Sequence, residues 1–434
     1  MNRKILVLGS DFGTLDMVRE AKKMGLYVIA ADLMNNSPTK EAADEAWLVS
    51  TTEIELLEKK CREENITAVM TGASDFNITC ARKLCKRLNL PIYCESDYAW
   101  TVARNKSEFK KLCKEVGAPT AKDYEVSEEL TEKELDKIKF PVVVKPVDNS
   151  GNKGMSYCKN KEELREAYKY ARSVSKNETI IVERQLHGPE WTVNYVLADG
   201  EIRLLYFSRE HHQPGELANL YSLMNTSSCH LRQYLDEMND KVIQVLKKAE
   251  FKEGIAWVEV MLDEDGHFYL IECGYRYGGD MSYASYEKVS GFNSIRWMLD
   301  ICLGVRHKKA DLPMPLTTAH CATAATYHLF AAEDGVITKI EGLKEIEKLP
   351  GIIIDMPKRE GNPVKYHACM GTIRIYGETC DVMIERLKEI NAALKIQNEN
   401  GENLFIHFTD YESVREEFQT GLEEFGIDNK KADS

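Results

Sequence analysis

Hydrophobic and polar positions follow two different periods along this chain, and the changes between them mark out its elements. In the first hundred residues, short apolar runs alternate with stretches that turn an apolar face every three to four positions. Lys4–Leu8 reads as a strand, Gly9-Ser10-Asp11-Phe12-Gly13 as a turn, and Leu15, Val18 and Ala21 as one face of a helix. Tyr27–Asp32 is a second strand, residues 46–49 and 68–71 are further strands, and helices are predicted over 53–64 and 77–88. Strands alternating with helices predict a parallel, doubly wound sheet.

Beyond Asn105 the pattern changes. Residues 106–115 form an amphipathic helix stopped by Gly117, with Pro119 after the stop. A charged helix is expected over 131–139, a strand from Phe140-Pro141, and short strands from 179 to 208. A helix over 231–249 precedes strands 254–263 and 267–272, which turn at Asp265-Gly266 as a hairpin. Residues 320–406 are strand-rich with one helix near 380–393, and the polar tail 426–434 is expected to fray. The fold class is therefore α/β followed by α+β.

Composition narrows the function. With 434 residues, 43% of them hydrophobic, the chain can bury cores for about three domains. Its 57 Lys and Arg against 70 Asp and Glu leave a net charge of −13, which argues against nucleic acid as a partner. A small anion in a locally basic cleft stays possible. The apolar run after Met1-Asn2-Arg3-Lys4 is too short for a secretion signal or a membrane span, so a cytoplasmic protein without a membrane partner is expected. Twelve scattered cysteines with no Cys-x-x-Cys read as reduced, buried thiols. The first turn has Asp11 where a dinucleotide fingerprint needs its middle glycine, which disfavours NAD there.

Five features carry chemistry. Lys106 opens a helix. Lys145 ends the apolar run Phe140-Pro-Val-Val-Val, where an unpaired ammonium is costly, and Asp148-Asn-Ser150-Gly151-Asn-Lys153-Gly154-Met155 follows as a loop able to wrap an anion. Ile180–Leu186, with Glu183, offers a strand edge to a purine, and Glu190 could accept from ribose hydroxyls. Glu259 and Glu272 fall roughly opposite each other across the hairpin, and two carboxylates that close need a proton or cation between them. Arg276, four residues on, can meet an anionic oxygen.

This order of motifs resembles the ATP-grasp superfamily, in the branch of biotin carboxylase, the carbamoyl-phosphate synthases and the carboxylate–amine ligases. The resemblance implies a Rossmann-like pre-ATP-grasp domain over 1–100, a two-subdomain ATP-grasp domain over 101–305 with a lid at about 120–187, and a β-rich C-terminal domain over 306–425. It implies that Lys106 and Lys145 contact ATP phosphates under a lid of Ser150, Gly151, Lys153 and Gly154. Glu183 and Leu186 would meet adenine through backbone groups, and Glu190 the ribose. Glu259 and Glu272 would hold Mg²⁺ (or Mn²⁺), and Arg276 would act with Lys145 in catalysis on the transferring phosphate.

One position departs from the family pattern Glu-x-Asn-x-Arg, for the chain reads Glu272-Cys273-Gly274-Tyr275-Arg276. Gly274 supplies no side-chain oxygen, and Asp280 or Asn293 could substitute. The expected activity is ADP-forming ligation of a small-molecule carboxylate to an amine through an acyl phosphate. The alternatives are bicarbonate phosphorylation, as in biotin carboxylase or carbamoyl-phosphate synthase, and an ATP-binding module with little or no turnover. Substrate contacts are expected in the loop-like polar segment 209–215, with Arg209, His211 and His212, and Tyr275, Tyr277, Tyr283 and Tyr286 could line an acceptor pocket. A homodimer is compatible with this architecture.

Overall fold

The computed structural model describes residues 3–11, 13–35, 37–147, 154–175, 179–212, 221–314 and 323–426. Strand Lys4–Leu8 pairs in parallel with Tyr27–Asp32 on one side and Ile66–Thr71 on the other, and Glu45–Leu48 completes a four-stranded sheet at the edge beyond Tyr27–Asp32. Crossover helices Thr14–Lys23 and Ile54–Glu63, with Asp75–Leu88 after the last strand, supply the apolar faces that such a sheet needs.

An eight-stranded antiparallel sheet dominates the rest. Its order runs Phe268–Gly274, Gly254–Leu262, Glu190–Ala198, Glu201–His212, Tyr221–Thr226, Thr323–Phe330, Cys369–Gly377, Ile352–Asp355. The last three strands come from beyond residue 305, so ladder hydrogen bonding runs unbroken across the boundary expected there. A small antiparallel sheet, Ser156–Cys158, Val142–Pro146 and Ile180–Arg184, packs under helix Lys161–Val174. It has its own apolar core, from Leu130 to Val182, whereas the core of the first hundred residues is continuous with the one beneath the large sheet.

Three expected elements differ. The helix over 131–139 is only Glu132–Leu135: a Thr131–Glu134 capping box starts it, and the residue before Pro141 is driven out of the helical region. The helix over 231–249 contains a π-helical segment, Leu235–Asn239, where Asn239 accepts from the buried Tyr195 hydroxyl at 3.1 Å, itself 2.6 Å from that of Tyr234. Residues 209–212 are not a loop but the end of strand Glu201–His212, paired with strands on both sides. Their polarity reflects a buried strand facing a cleft. The eleven cysteines among the described residues are free thiols and ten of them are buried. Among the described residues no helix is long and apolar enough to cross a membrane.

Candidate active site

One face of the large sheet is acidic. Across its hairpin, the turn sets Leu262 opposite Phe268 and Val260 opposite Leu270, a register that would leave Glu259 facing Ile271. A bulge shifts the pairing by one residue, and Glu259 meets Glu272 instead. On the neighbouring strands Glu190 stands opposite Glu210, another like-charged cross-strand pair. Strand alternation then brings His212 to the Glu210 side, with Nε2 at 3.3 Å from Glu190 and 3.7 Å from Glu210.

The cations come from other elements. Asn105 caps helix Lys106–Val116, accepting from the amides of Ser107 and Glu108, and this fixes Lys106 in the first turn, where it pairs with Glu272. Lys145, 7% exposed in the strand Val142–Pro146, pairs with Glu183 across the small sheet. The same Glu183 carboxylate accepts from Lys110 at 2.6 Å, and Lys110 also pairs with Asp123. Arg276 donates from Nε to Asp75 at 2.7 Å and lies 5.1 Å above the Trp257 ring. Together these groups line a cleft of about 780 Å³ between the small and large sheets.

Burial and its carboxylate neighbours, Glu272 first, push the Glu259 carboxyl well above the usual range. Burial pushes Glu272 the same way, but Lys106, and after it Lys145 and Arg276, hold it below that range. Burial and the adjacent Glu190 raise Glu210 to about 8. Burial opposes the charge on Lys106 as well, yet Glu272 keeps the ammonium above its usual value. Paired carboxylates of this kind suit a hard divalent cation, with Lys106 supplying positive charge at the same point, so the residues present fit Mg²⁺.

Most of the expected site residues gather here. Lys106, Lys145, Glu183, Leu186, Glu190, Arg209, His212, Glu259, Glu272 and Arg276 all line the cleft. Gly154 lies just outside it at a positive φ of 86°, where a Cβ would come 2.6 Å from Val174, while Met155 lines the wall. Ser150, Gly151 and Lys153 lie outside the described residues. The backbone of Glu183 is paired with Val143 on one side and Asp123 on the other, so this residue enters the site through its carboxylate rather than its main chain.

Other expectations are corrected. His211 points to the opposite face from His212, buried at 2.6 Å from Asn225 and edge-on to Phe408. Arg209 reaches the rim but is held by Glu417 at 2.9 Å and lies 5.2 Å from the Trp191 ring. Tyr275, Tyr277, Tyr283 and Tyr286 are buried packing residues: Tyr275 donates to the Tyr93 carbonyl at 3.0 Å and Tyr286 stacks on Tyr206. Tyr157 and Tyr221 line the cleft in their place. Asn293 caps helix Ser294–Cys302 and donates to Glu287, away from Glu259 and Glu272, whereas Asp280 does reach the cleft. At Gly274 the missing side chain has a local cause, for a Cβ there would overlap the Trp257 indole, its cross-strand partner.

Sequence reasoning missed Lys110, Asp75, Trp257 and Glu210. Strand parity would have found Glu210 from His212; the other three are brought in by packing between elements distant in sequence.

Residues 105–309 match the family described as the ATP-binding domain of the carbamoyl-phosphate synthase L chain. This stretch, just under half of the chain, is what matches an ATP-grasp domain. It is 31% identical over 165 residues to a formate-dependent phosphoribosylglycinamide formyltransferase of Prochlorococcus marinus, covering 37% of this chain and 42% of that one. To the carbamoyl phosphate synthase large chain of Clostridium beijerinckii it is 25% identical over 333 residues, or 71% of this chain. The chain spans only 30% of that relative's length and less than half of the formyltransferase's. The L-amino acid ligase of Bacillus licheniformis shares the fold, with a TM-score of 0.74, 20% identity, and coverage of 92% of this chain and 99% of that one.

Proposed function

We propose that the cleft binds ATP with Mg²⁺ and that the protein is an ADP-forming ligase, activating a small carboxylate as an acyl phosphate and passing the acyl group to an amine. The observation that carries this reading is the convergence of Lys106, Lys145 and Arg276 on the opposed carboxylates Glu259 and Glu272. Bound Mg²⁺, or Mn²⁺ in its place, would withdraw charge from the terminal phosphate. Glu259 and Glu272 would hold that ion. Lys106 and Lys145 would bind phosphate oxygens, and Lys145 can leave Glu183 because Lys110 stays behind to satisfy it. Asp75 orients Arg276, and the Trp257 face supports it, so that the guanidinium meets the oxygens that gain charge during transfer. Among the described residues lining the cleft there is no serine or cysteine, which suits transfer without a covalent enzyme intermediate. The small sheet with its separate core serves as the lid, within a division of the chain near residues 100 and 305.

A second reading, an ATP-binding module with little turnover, is favoured by one observation: Trp257 fills the space a side-chain ligand at 274 would need. A coupled ADP-release screen over carboxylates crossed with amines, at saturating Mg²⁺, separates the readings. ADP that needs both substrates is expected, with Glu272→Gln lowering its rate by about 10² or more. ADP release driven by bicarbonate alone would redirect the assignment to bicarbonate phosphorylation. Nucleotide binding with no ADP from any pair would leave the module.

A further inference from the structure

The charges lining the cleft do not balance locally. Each described lysine or arginine there already has a carboxylate: Lys106 has Glu272, Lys145 has Glu183, Arg276 has Asp75, Arg209 has Glu417 and Arg184 has Asp263. Glu190, Glu210, Glu259 and Asp280 also line the cleft, and among the described residues none of them pairs with a lysine or arginine. Glu259 faces Glu272 and belongs to the metal carboxylates. His212 sits between Glu190 and Glu210. That leaves Asp280 and the side of Glu210 turned from the imidazole.

Asp280 is the sharper demand. It is 5% exposed and lines the cleft, and among the described residues its carboxylate makes no hydrogen bond of good distance and angle, the Ser282 hydroxyl and amide being the donors beside it. A buried carboxylate in that state costs several kcal/mol unless a ligand supplies donors or a charge. Among the described residues Glu210, 3% exposed, accepts only from Thr192 at 2.5 Å besides its His212 neighbour. After burial, Asp280 and Glu210 both make the Tyr221 hydroxyl harder to ionise, and Asp280 adds to the rise at Glu210. The aromatic wall beside them is Tyr221.

We infer that Glu210 and Asp280 form the subsite for a primary ammonium group, so that the carboxylate substrate is one carrying such a group, as an amino acid does. An ammonium provides three donors and one positive charge, which meets both carboxylates at once. The Tyr221 ring edge or face can pack the carbon skeleton or the cation itself. A divalent ion fits less well. The ligand atoms close enough to share one ion are those of Glu190, Glu210 and His212, and Asp280 is outside that group. An ion there would also leave the Asp280 charge without a paired cation among the described residues. The amine that attacks must be unprotonated, so a group held as ammonium belongs to the activated substrate and not to the nucleophile.

This inference rests on reading the cleft as a ligase site, and the experiment separates the two. Titration calorimetry on the full chain compares matched probes, alanine with propionate and phenylalanine with 3-phenylpropionate, each with and without AMP-PNP and Mg²⁺. The amino member is expected to bind at least about tenfold tighter, and the preference to fall below about threefold in Asp280→Asn and in Glu210→Gln, with AMP-PNP affinity kept. The isosteric Asp280→Asn keeps the test open should Glu210→Gln fail to fold. Equal affinity within the pairs, or a preference retained in both variants, overturns the subsite. So does Mn²⁺ binding without nucleotide that Glu210→Gln abolishes while no amino preference is seen, which would mark a metal site. An amino preference without any AMP-PNP binding supports the subsite and counts against the ligase reading.

Discussion

Glu183 is shared by two lysines, and that sharing determines what each can do. Its carboxylate is buried, and burial alone would protonate it, but Lys145 and Lys110 hold it below the usual range. Lys145 lines the cleft and Lys110 does not, so under the proposed function Lys110 would be the fixed counterion that frees Lys145 for an incoming phosphate. Lys110→Met should therefore cost stability and nucleotide affinity together. The loss in unfolding free energy is expected at roughly 1–3 kcal/mol, since Lys145 still neutralises Glu183 in the empty protein. Once Lys145 turns to a phosphate, Glu183 would be left alone in the variant, and the AMP-PNP Kd should rise by about tenfold or more. Urea melts and calorimetric titration measure the two effects. A variant with lowered stability but unchanged nucleotide affinity would show that Lys145 does not leave Glu183.

At the scale of elements, the hairpin that carries Glu259 and Glu272 is a bulged one, and its two strands are fitted to each other by one large and one absent side chain. Trp257 and Gly274 are register partners, and the indole occupies the volume a side chain at 274 would take. Gly274→Asn should thus overpack the hairpin and destabilise it by about 1–3 kcal/mol, rather than simply restoring a ligand. Trp257→Ala in the same chain should relieve the clash, at the cost of the surface on which Arg276 rests. Thermal melts of the two single variants and the double check this through their non-additivity: the double variant should be more stable than the sum of the single losses predicts. The sequence order Lys106, Lys145, Glu259, Glu272, Arg276 could be read because each lies on or beside a strongly patterned element. What could not be read depends on contacts between elements. Counting from the turn places Glu259 and Glu272 only roughly opposite, and a bulge that no residue pattern announces makes the pairing direct. Asp75 reaches Arg276 from 201 residues away. The polar run 209–212 looks like a loop because a buried strand facing a charged cleft has the composition of one.

At the scale of the molecule, the first hundred residues are held against the site by half-buried ion pairs as well as by apolar packing. Asp75 ties them to the hairpin through Arg276. Asp16, on helix Thr14–Lys23, accepts from Tyr283 at 2.9 Å and pairs with Arg374, which lies on a strand from beyond residue 305 and is 8% exposed. Burial works against the Arg374 charge, and the Asp16 carboxylate together with Tyr283, Tyr376 and Asp355 more than offsets it. This one pair thus joins the start of the chain to its last large strand. Removing either partner leaves the other buried with reduced compensation, so Asp16→Asn and Arg374→Met should each lower unfolding stability by about 3 kcal/mol. Because both act on one contact, the double variant should lose much less than the sum. Nucleotide affinity should stay within about twofold throughout, since the phosphate and metal groups proposed for the site all come from residue 106 onward. Denaturant unfolding of the four species, with AMP-PNP titrations alongside, measures both quantities. Additive losses would mean that the Asp16–Arg374 contact does not tie the first hundred residues to the rest, and a fall in nucleotide affinity would mean that helix Thr14–Lys23, and not Asp75 alone, helps to shape the ATP site.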